Sequence, residues 1–303
     1  MRKNLVIVRA GKDSLHGGWL GQPYCSRSFD VIVSYYDQKA FQQHEPQDGV
    51  TALFFAGGKW DGIYKTLRYI SDTLDEYEYV WLPDDDIETE GPVVDEMFLM
   101  MKRHSLKVGQ PSLTLDSYFT HFIFIQCPGL QIRKTNFIEI MVPCLSCDVL
   151  RAISPNFKNT LSGFGLDYIW CRIPESGQRN AAIIDAVAVK HTRPVGQVLM
   201  KKMKTIGIDP KQEEADLAWS YGVDRWVTPL AYMAITNFGA AIQGKFFTGL
   251  LMAALHTRLF FRRSQQTRHY DFGRVVQLLR RQFTRRLDLS ELRQSNRETL
   301  RDF

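Results

Sequence analysis

Long apolar runs are missing from the sequence. No uninterrupted apolar stretch reaches the roughly 18 residues that a membrane-spanning helix requires, so no spanning segment is expected. The first apolar run has only four residues before Arg9, which is too short for the core of a signal peptide and is typical of a first strand. We therefore expect a cytoplasmic protein.

Cysteine is scarce, with five copies in 303 residues. An odd number in a chain large enough to bury its own core indicates a reducing compartment rather than a disulfide framework. One Cys-x-x-Cys pair is present, but a zinc ribbon needs a second pair, which the sequence lacks. Neither structural zinc nor a redox pair is predicted. The five cysteines are Cys25, Cys127, Cys144, Cys147 and Cys171.

Lysine is absent from the last part of the chain. From Arg258 to Phe303 the sequence has 12 arginines and 5 acidic residues, while the formal net charge of the whole chain is only +5. The basic character therefore belongs to this tail, and the preceding residues are slightly acidic.

Apolar residues are plentiful: 45% of the chain is hydrophobic and 12% is aromatic, which is enough for a large core. Short runs rich in Val and Ile alternate with segments of helical periodicity. This pattern predicts an α/β fold with a mixed, mostly parallel sheet flanked by helices and right-handed crossovers. Strands are predicted at 4–9, 29–35, 51–56, 77–82, 119–126, 137–145 and 181–189. Helices are predicted at 63–74 and 93–104, after the Gly-rich turn in 162–170, and through most of 227–261.

Three adjacent carboxylates, Asp84 to Asp86, follow the fourth predicted strand in the stretch YVWLPDDDI. The carboxyl ends of strands form the ligand-binding edge of open α/β sheets. Asp84 and Asp86 stand two apart and are expected to point the same way, with Asp85 turned to the other side. Such carboxylates are typical ligands of Mg²⁺ or Mn²⁺ bound to a diphosphate. The alternative is an acidic surface turn in which Asp86 or Thr89 caps the next helix.

Two further residues, Asp167 and His191, have side chains suited to acid–base catalysis or metal binding. Asp167 follows a Gly-Phe-Gly-Leu turn and is either a general base toward a hydroxyl or an ordinary acid at the start of a helix. His191 follows the last predicted strand and is either a metal ligand, a diphosphate contact or a structural histidine. Four cations are either counter-charges for phosphate or solvated surface residues. They are Lys12, Lys59, Lys65 and Arg193.

The order of these motifs resembles the GT-A class of nucleotide-sugar glycosyltransferases. Several segments within about residues 1–200 also resemble the domain of unknown function 707 family, whose plant members are labelled lysine-ketoglutarate reductase trans-splicing related. The sequence has no Gly-x-Gly-x-x-Gly motif, so that label does not imply reductase chemistry. The resembling segments are 81–87 (WLPDDDI), 110–113 (QPSL), 137–143 (FIEIMVP), 163–168 (GFGLDY) and His191.

The resemblance implies a GT-A-like (Rossmann-like) catalytic domain at 1–200, followed by a helical, Arg-rich extension at 201–303. It implies metal ligation by Asp84, Asp86 and His191, with Asp37 on the nucleotide base or ribose and Asp84 also near the ribose. Asp167 would deprotonate the acceptor hydroxyl, and Glu139 would face the acceptor. The residues predicted to contact substrates are Ala10, Gly11, Lys12, Asp37, Lys59, Lys65, Asp84, Asp85 and Arg193.

The function predicted is a metal-dependent, inverting glycosyltransferase. Its partners would be a nucleotide-sugar donor and a glycan or glycolipid acceptor, as in surface polysaccharide synthesis, and its cofactor would be Mn²⁺ or Mg²⁺. One alternative is a metal-dependent phosphohydrolase or nucleotidyltransferase, because clustered carboxylates with a histidine also serve those reactions. Another is a non-catalytic protein that binds a membrane or nucleic acid through its basic tail.

The tail suggests a further partner. The segment FFTGLLMAALHTRLFF at 246–261 leads into sequence in which Arg alternates with Leu, Val and Phe at roughly helical spacing. An apolar face beside a basic one is typical of an interfacial helix, so an anionic membrane surface, on the inner face of the membrane, is one predicted partner. The alternative is a helical subdomain packed on the catalytic core. Nucleic acid is not predicted, because no recognition module accompanies the basic residues.

Overall fold

The computed structural model describes residues 2–177, 179–196, 203, 205, 207–223, 226–262 and 272–294. Its strands are β1 Asn4–Ala10, β2 Phe29–Tyr35, β3 Val50–Phe54, β4 Tyr79–Trp81, β5 Ile87–Glu88, β6 Val108–Leu113, β7 Leu130–Thr135, β8 Cys144–Ser146, β9 Ala181–His191, β10 Ala231–Thr236 and β11 Ala241–Gln243. Its helices are α1 Gln38–Gln42, α2 Lys59–Tyr69, α3 Gly91–Arg103, α4 Cys147–Ile153, α5 Leu166–Ile169, α6 Pro210–Ser220, α7 Lys245–Arg262 and α8 Phe272–Thr284.

One sheet runs through the molecule in the order β11-β10-β7-β9-β6-β8-β4-β1-β2-β3, and β5 pairs with β9 beside it. Strands β4, β1, β2 and β3 are parallel, and so is the pair of β6 and β9. The remaining pairs are antiparallel. The predicted mixed α/β fold is confirmed. The sheet is less parallel than predicted, because six of the strand pairs among the described residues are antiparallel and four are parallel, three of these in the β4-β1-β2-β3 block.

The core forms where apolar strand runs meet helix faces. Residues Leu5 to Val8 of β1 are fully buried, as expected of a central parallel strand with both faces covered. Helix α2 packs against β1 and β2, and α3 packs against β6 and β9. Helix α3 contributes Met97, Phe98 and Met101 to the core, and its last two residues, Lys102 and Arg103, are exposed.

Two predicted strands are wrong. At 119–126 the chain forms a short 3₁₀ helix, Phe122–Phe124, whose three side chains are buried, and a short apolar run does not by itself distinguish a strand from a buried turn. At 137–145 only the last two residues belong to a strand, β8, because Pro143 cannot donate a hydrogen bond to a ladder. The loop before it runs beside the carboxylates: Leu82 N–H donates to Pro143 O and Asp84 N–H to Met141 O.

The predicted helix through 227–261 is correct only from Lys245 onward, since β10 and β11 precede it and β10 pairs with β7. Helix α7 buries Met252 and His256 against the sheet. Further along, Arg172 donates to Asp288 and Ser290, so the described end of the chain lies against the residues that follow α5. The segment after residue 200 therefore continues the sheet and its core. Among the described residues, none of the helices combines the length and apolar composition that a membrane span requires.

Candidate active site

A cavity of about 900 Å³ opens where β1, β2 and β4 end. The carboxylate triplet, the loop at 137–141, the start of α5 and the residues after β9 all reach it. Eight of the predicted site residues lie in its wall. They are Lys59, Asp84, Asp85, Asp86, Glu139, Asp167, His191 and Arg193.

Asp84, Asp86 and His191 converge at one part of this wall. Each offers one ligand atom, and these atoms all lie within 4.8 Å of one another. The short pairing of β5 with β9 brings them together, because Ile87 lies opposite His191 in the register. Thr192 fixes the same junction, since its N–H and its hydroxyl both donate to Asp86 O, at 3.2 and 2.9 Å.

The orientation of the His191 ring suits a ligand. Its Nδ1 lies 3.0 Å from Tyr118 O, a carbonyl that only accepts, so the proton is on Nδ1. Its Nε2 then faces Asp86 Oδ2 at 3.2 Å. Burial lowers the pKa of His191, but the hydrogen bond to Asp86 and the charges of Asp86 and Asp84 outweigh it and raise the pKa.

Asp85 points away from that cluster and is fully engaged by the protein. Its carboxylate accepts from Gly11 N–H at 3.1 Å, from the Tyr36 hydroxyl at 3.0 Å and from Arg193 at 3.1 Å. Arg193 also donates to Asp13 O. Asp85 therefore ties the ends of β1 and β2 to the residues after β9, which is a scaffold role at the edge of the cavity.

Lys59, at the start of α2, is also engaged. Its ammonium donates to Asp84 Oδ1 at 2.6 Å, to Ile140 O at 2.8 Å and to Met141 O at 3.3 Å. These contacts join the carboxylate triplet to the loop that carries Glu139. The side chain thus fixes the wall of the cavity.

Asp167 is held in place by two glycines. Gly163 has φ +77°, and a Cβ there would lie 1.8 Å from Nε1 of Trp60, so only glycine fits. Gly165 has φ +93° and precedes α5. Burial, and then the charge of Glu214, raises the pKa of Asp167 to about 8, although backbone N–H groups favour the carboxylate. Its Oδ1 has no hydrogen-bond partner within the described chain.

Glu139 is 5% exposed, and neither of its carboxylate oxygens has a hydrogen-bond partner among the described residues. Its backbone N–H is fixed by Gln110 Oε1 at 2.8 Å. Burial raises the pKa of Glu139 to about 8, with His191 opposing and Asp167 and Asp84 adding to the shift. Buried polar groups are normally paired, so unpaired oxygens on the wall of one cavity indicate a place where a ligand binds.

The residues present fit a divalent metal. Two carboxylates and a neutral imidazole form a donor set suited to Mn²⁺, and Asp86 Oδ1 is buried with no partner in the described structure. Because Nδ1 of His191 is held by Tyr118 O, Nε2 is the nitrogen that would bind the metal, in place of the proton that it shares with Asp86.

Five predicted substrate-binding residues lie outside the cavity wall. Gly11 donates its N–H to Asp85 of the cavity wall, and Asp37 accepts from Ala40 N–H and caps α1. Lys65 pairs with Asp61 on the surface of α2. The other two are Ala10, buried at the end of β1, and Lys12, which is exposed.

The cavity wall also contains residues that the sequence did not single out. Arg9 closes the apolar run of β1 and donates to Ser34, Phe55 O and Gly57 O, and burial lowers its pKa to about 10. A charged residue ending a buried strand was a signal that could have identified it. His121 has an unpartnered Nδ1 within the described chain, and burial lowers its pKa to about 4. No sequence signal pointed to His121.

No protein-family model matches the chain. No curated protein matches it. Similar solved structures include S. aureus TarS 1–349 in complex with UDP-GlcNAc, at 10% identity and TM-score 0.44, covering 91% of this chain and 70% of that one. TarS 1–349 alone is similar at 11% identity and TM-score 0.41, covering 71% and 69%. A longer S. aureus TarS structure is similar at 9% identity and TM-score 0.42, and the chain spans 44% of it. The resemblance to the domain of unknown function 707 family stays a prediction.

Proposed function

We propose that the protein is a metal-dependent glycosyltransferase that moves a sugar from a nucleotide-sugar donor to a hydroxyl acceptor. The observation that carries this proposal is that one cavity holds both parts the reaction needs. The Asp84, Asp86 and His191 cluster lies in its wall, and so does Asp167, whose Oδ1 is buried and has no hydrogen-bond partner among the described residues. The first suits a metal-bound diphosphate, and the second suits a general base.

The charges around the cavity support a requirement for metal. Among the described residues of the wall, the arginine and lysine side chains already have protein acceptors: Arg9 bonds backbone oxygens and Ser34, Lys59 bonds Asp84, and Arg193 bonds Asp85. A diphosphate would therefore bring negative charge to a wall already rich in carboxylates. A metal held by Asp84, Asp86 and His191 would supply the charge that stabilises the departing nucleotide diphosphate.

The chemical step follows from the position of Asp167. The Asp167 carboxylate takes the proton of the acceptor hydroxyl, and the acceptor oxygen forms a bond to the anomeric carbon. The bond from that carbon to the diphosphate oxygen breaks, and its electron pair leaves with the nucleotide diphosphate. Because the protein acts as a base and forms no covalent sugar intermediate, the configuration at the anomeric carbon inverts.

The wall near Asp167 supports a glycan acceptor. The rings of Tyr168 and Trp226 meet edge to face with centroids 5.9 Å apart, and Phe137 lies 5.9 Å from Tyr168. Trp226 is 72% exposed, so its ring offers a large surface. Rigid aromatic faces beside carboxylates suit a sugar, which has apolar C–H faces and polar hydroxyls.

A donor screen tests the proposal. The thermal midpoint of the full chain is measured with a panel of nucleotide sugars, with Mn²⁺ and with chelator. A true donor at 100 times its Kd stabilises the fold by about 2.7 kcal/mol, and the stabilisation should vanish with chelator. Turnover is then measured with and without glycan acceptors. Release of nucleotide that is independent of acceptor would instead identify a hydrolase.

A further inference from the structure

Helices α7 and α8 expose apolar side chains on the faces that point away from the core. Five of these side chains form what we call the apolar ridge. They are Phe246 (49% exposed), Phe247 (62%), Leu250 (43%), Val276 (52%) and Phe283 (37%). Other side chains of the two helices pack inward: Met252 and His256 on α7, and Val275, Leu278 and Gln282 on α8, are buried.

The ridge is continuous across the two helices. The rings of Phe246 and Phe283 lie 4.5 Å apart edge to face, and Phe246 also contacts Phe247 at 5.4 Å. Val276 and Phe283 are seven residues apart and therefore lie on one side of α8. Lys245 donates to Arg285 O, which joins the start of α7 to the end of α8.

Positive charge flanks the ridge. From Lys245 to Leu287 the sequence has ten Lys or Arg residues and a single acid, Asp271. Arg280, Arg285 and Arg286 are exposed on or just after α8. The hairpin of α7 and α8 thus presents apolar and cationic groups together.

We propose that the apolar ridge docks on an anionic lipid surface. The phenylalanines and Leu250 would enter the boundary between headgroups and acyl chains, and the arginines would pair with headgroup phosphates. The helices need not cross the bilayer for this. The buried side chains of both helices already pack on the protein, so the exposed apolar side chains are the ones left to contact lipid.

Other occupants fit these observations less well. A second copy would place the exposed Arg280, Arg285 and Arg286 of one chain near those of another, and such like-charge contacts are unfavourable. A nucleic acid would use the arginines but leave exposed phenylalanines without a role.

The hairpin lies next to the candidate active site. Helix α8 packs against the turn Phe122–Phe124, and Arg274 lies 6.0 Å above the ring of Phe119. The same loop carries Thr120 and His121 in the cavity wall. If the proposed function holds, docking on lipid would bring the cavity to an acceptor that is itself attached to a lipid.

Flotation of the full chain with vesicles tests docking without reference to catalysis. The vesicles are phosphatidylcholine alone or mixed with phosphatidylglycerol. We expect the protein to float with the anionic vesicles at low salt and to dissociate as salt rises. The variant F246S/F247S/F283S should lose flotation at every salt concentration. R280Q/R285Q/R286Q should lose roughly 100-fold in affinity for the anionic vesicles and approach the affinity for neutral ones.

The matched control is R68Q/Y69S, which removes one exposed cation and one exposed aromatic residue from α2, outside the hairpin. It should float like the original protein. Circular dichroism and the thermal midpoint establish that each variant is folded, and donor binding by thermal shift is followed in parallel. If flotation is retained but no donor binding is seen, the proposed glycosyltransferase function is contradicted. The proposal that the ridge docks on lipid is not.

Two results would overturn the proposal. One is flotation that is equal in all variants or absent with every vesicle. The other is a concentration-dependent dimer, seen by sedimentation, that the F246S/F247S/F283S variant converts to a monomer. That second result would make the ridge an interface between two copies.

Discussion

Nε2 of His191 lies 3.2 Å from Oδ2 of Asp86, at the junction of β9 and β5. Neither residue is placed by its neighbours in sequence alone. The backbone of Thr192 holds Asp86 from one side, and Tyr118 O fixes the proton of His191 on the other. The pair is therefore oriented by the strands before any ligand binds, which lowers the entropic cost of binding a metal.

Asp86→Asn should abolish metal-dependent nucleotide binding and leave the fold intact. The substitution keeps the shape of the side chain but removes the charge that a divalent cation needs. Thermal shift with Mn²⁺ and a nucleotide donor measures the effect. Asp72→Asn, at an exposed position in the loop before β4, is the control and should bind normally. Equal nucleotide affinity in chelator, in Mn²⁺ and in the Asp86 variant would make the cluster purely structural.

Asp167→Asn separates binding from chemistry. Donor affinity should stay within a few fold, because Asp167 lies away from the metal cluster, whereas transfer should fall by about 10² to 10⁴, the usual contribution of a general base. Initial rates with saturating donor and acceptor measure this. Transfer retained in Asp167→Asn but lost in Glu139→Gln would move the base to Glu139.

Folding stability should fall as pH rises from about 4 to about 8. The pKa values of Glu139 and Asp167 are raised to about 8 in the folded protein, chiefly by burial, so between these limits the folded state holds protons that the unfolded state has released. The stability that these two protons contribute is fully present at a pH below the pKa of the groups in the unfolded chain. It is lost as the pH rises through their pKa in the folded protein. The free energy of unfolding should therefore have a negative slope against pH over this range.

Urea unfolding of the metal-free protein at several pH values measures this slope. The double variant E139Q/D167N removes both titrating groups, so its stability should depend less steeply on pH over the same range. An unchanged slope in the double variant would mean that the two carboxyls are already ionised in the folded protein.

The sequence predicted much of the parallel half of the sheet, for a physical reason. Strands β1 and β2 are largely buried on both faces, so each appears in the sequence as a short apolar run that can be recognised without knowledge of its partner strands. The alternation of side chains along an extended segment likewise predicted that Asp84 and Asp86 would point together and that Asp85 would diverge, which the structure shows.

Strand β6 and some residues of the cavity wall could not be predicted from local sequence patterns. Strand β6 has the sequence VGQPSL, and a proline in a central strand argues against a strand. The structure accommodates it with an irregularity in the pairing of β6 with β9 directly after Pro111. His121 and Trp226 reach the cavity from loops far apart in sequence, and only the folded chain brings them to one wall.

A buried ion pair lies where α7 packs on the sheet. Asp185 pairs with Arg133 at 2.6 Å, and both side chains are fully buried. Arg133 also donates toward Sδ of Met252 on α7. Asp185→Ala would leave a buried guanidinium without its counter-charge, so the free energy of unfolding should fall by about 3 to 5 kcal/mol.

The control is Glu78→Ala, which removes the exposed partner of Lys102 and should lower the free energy of unfolding by less than about 1 kcal/mol. Urea denaturation compares the two. A similar small loss in both variants would show that water reaches Arg133 and that the pair is not a buried one.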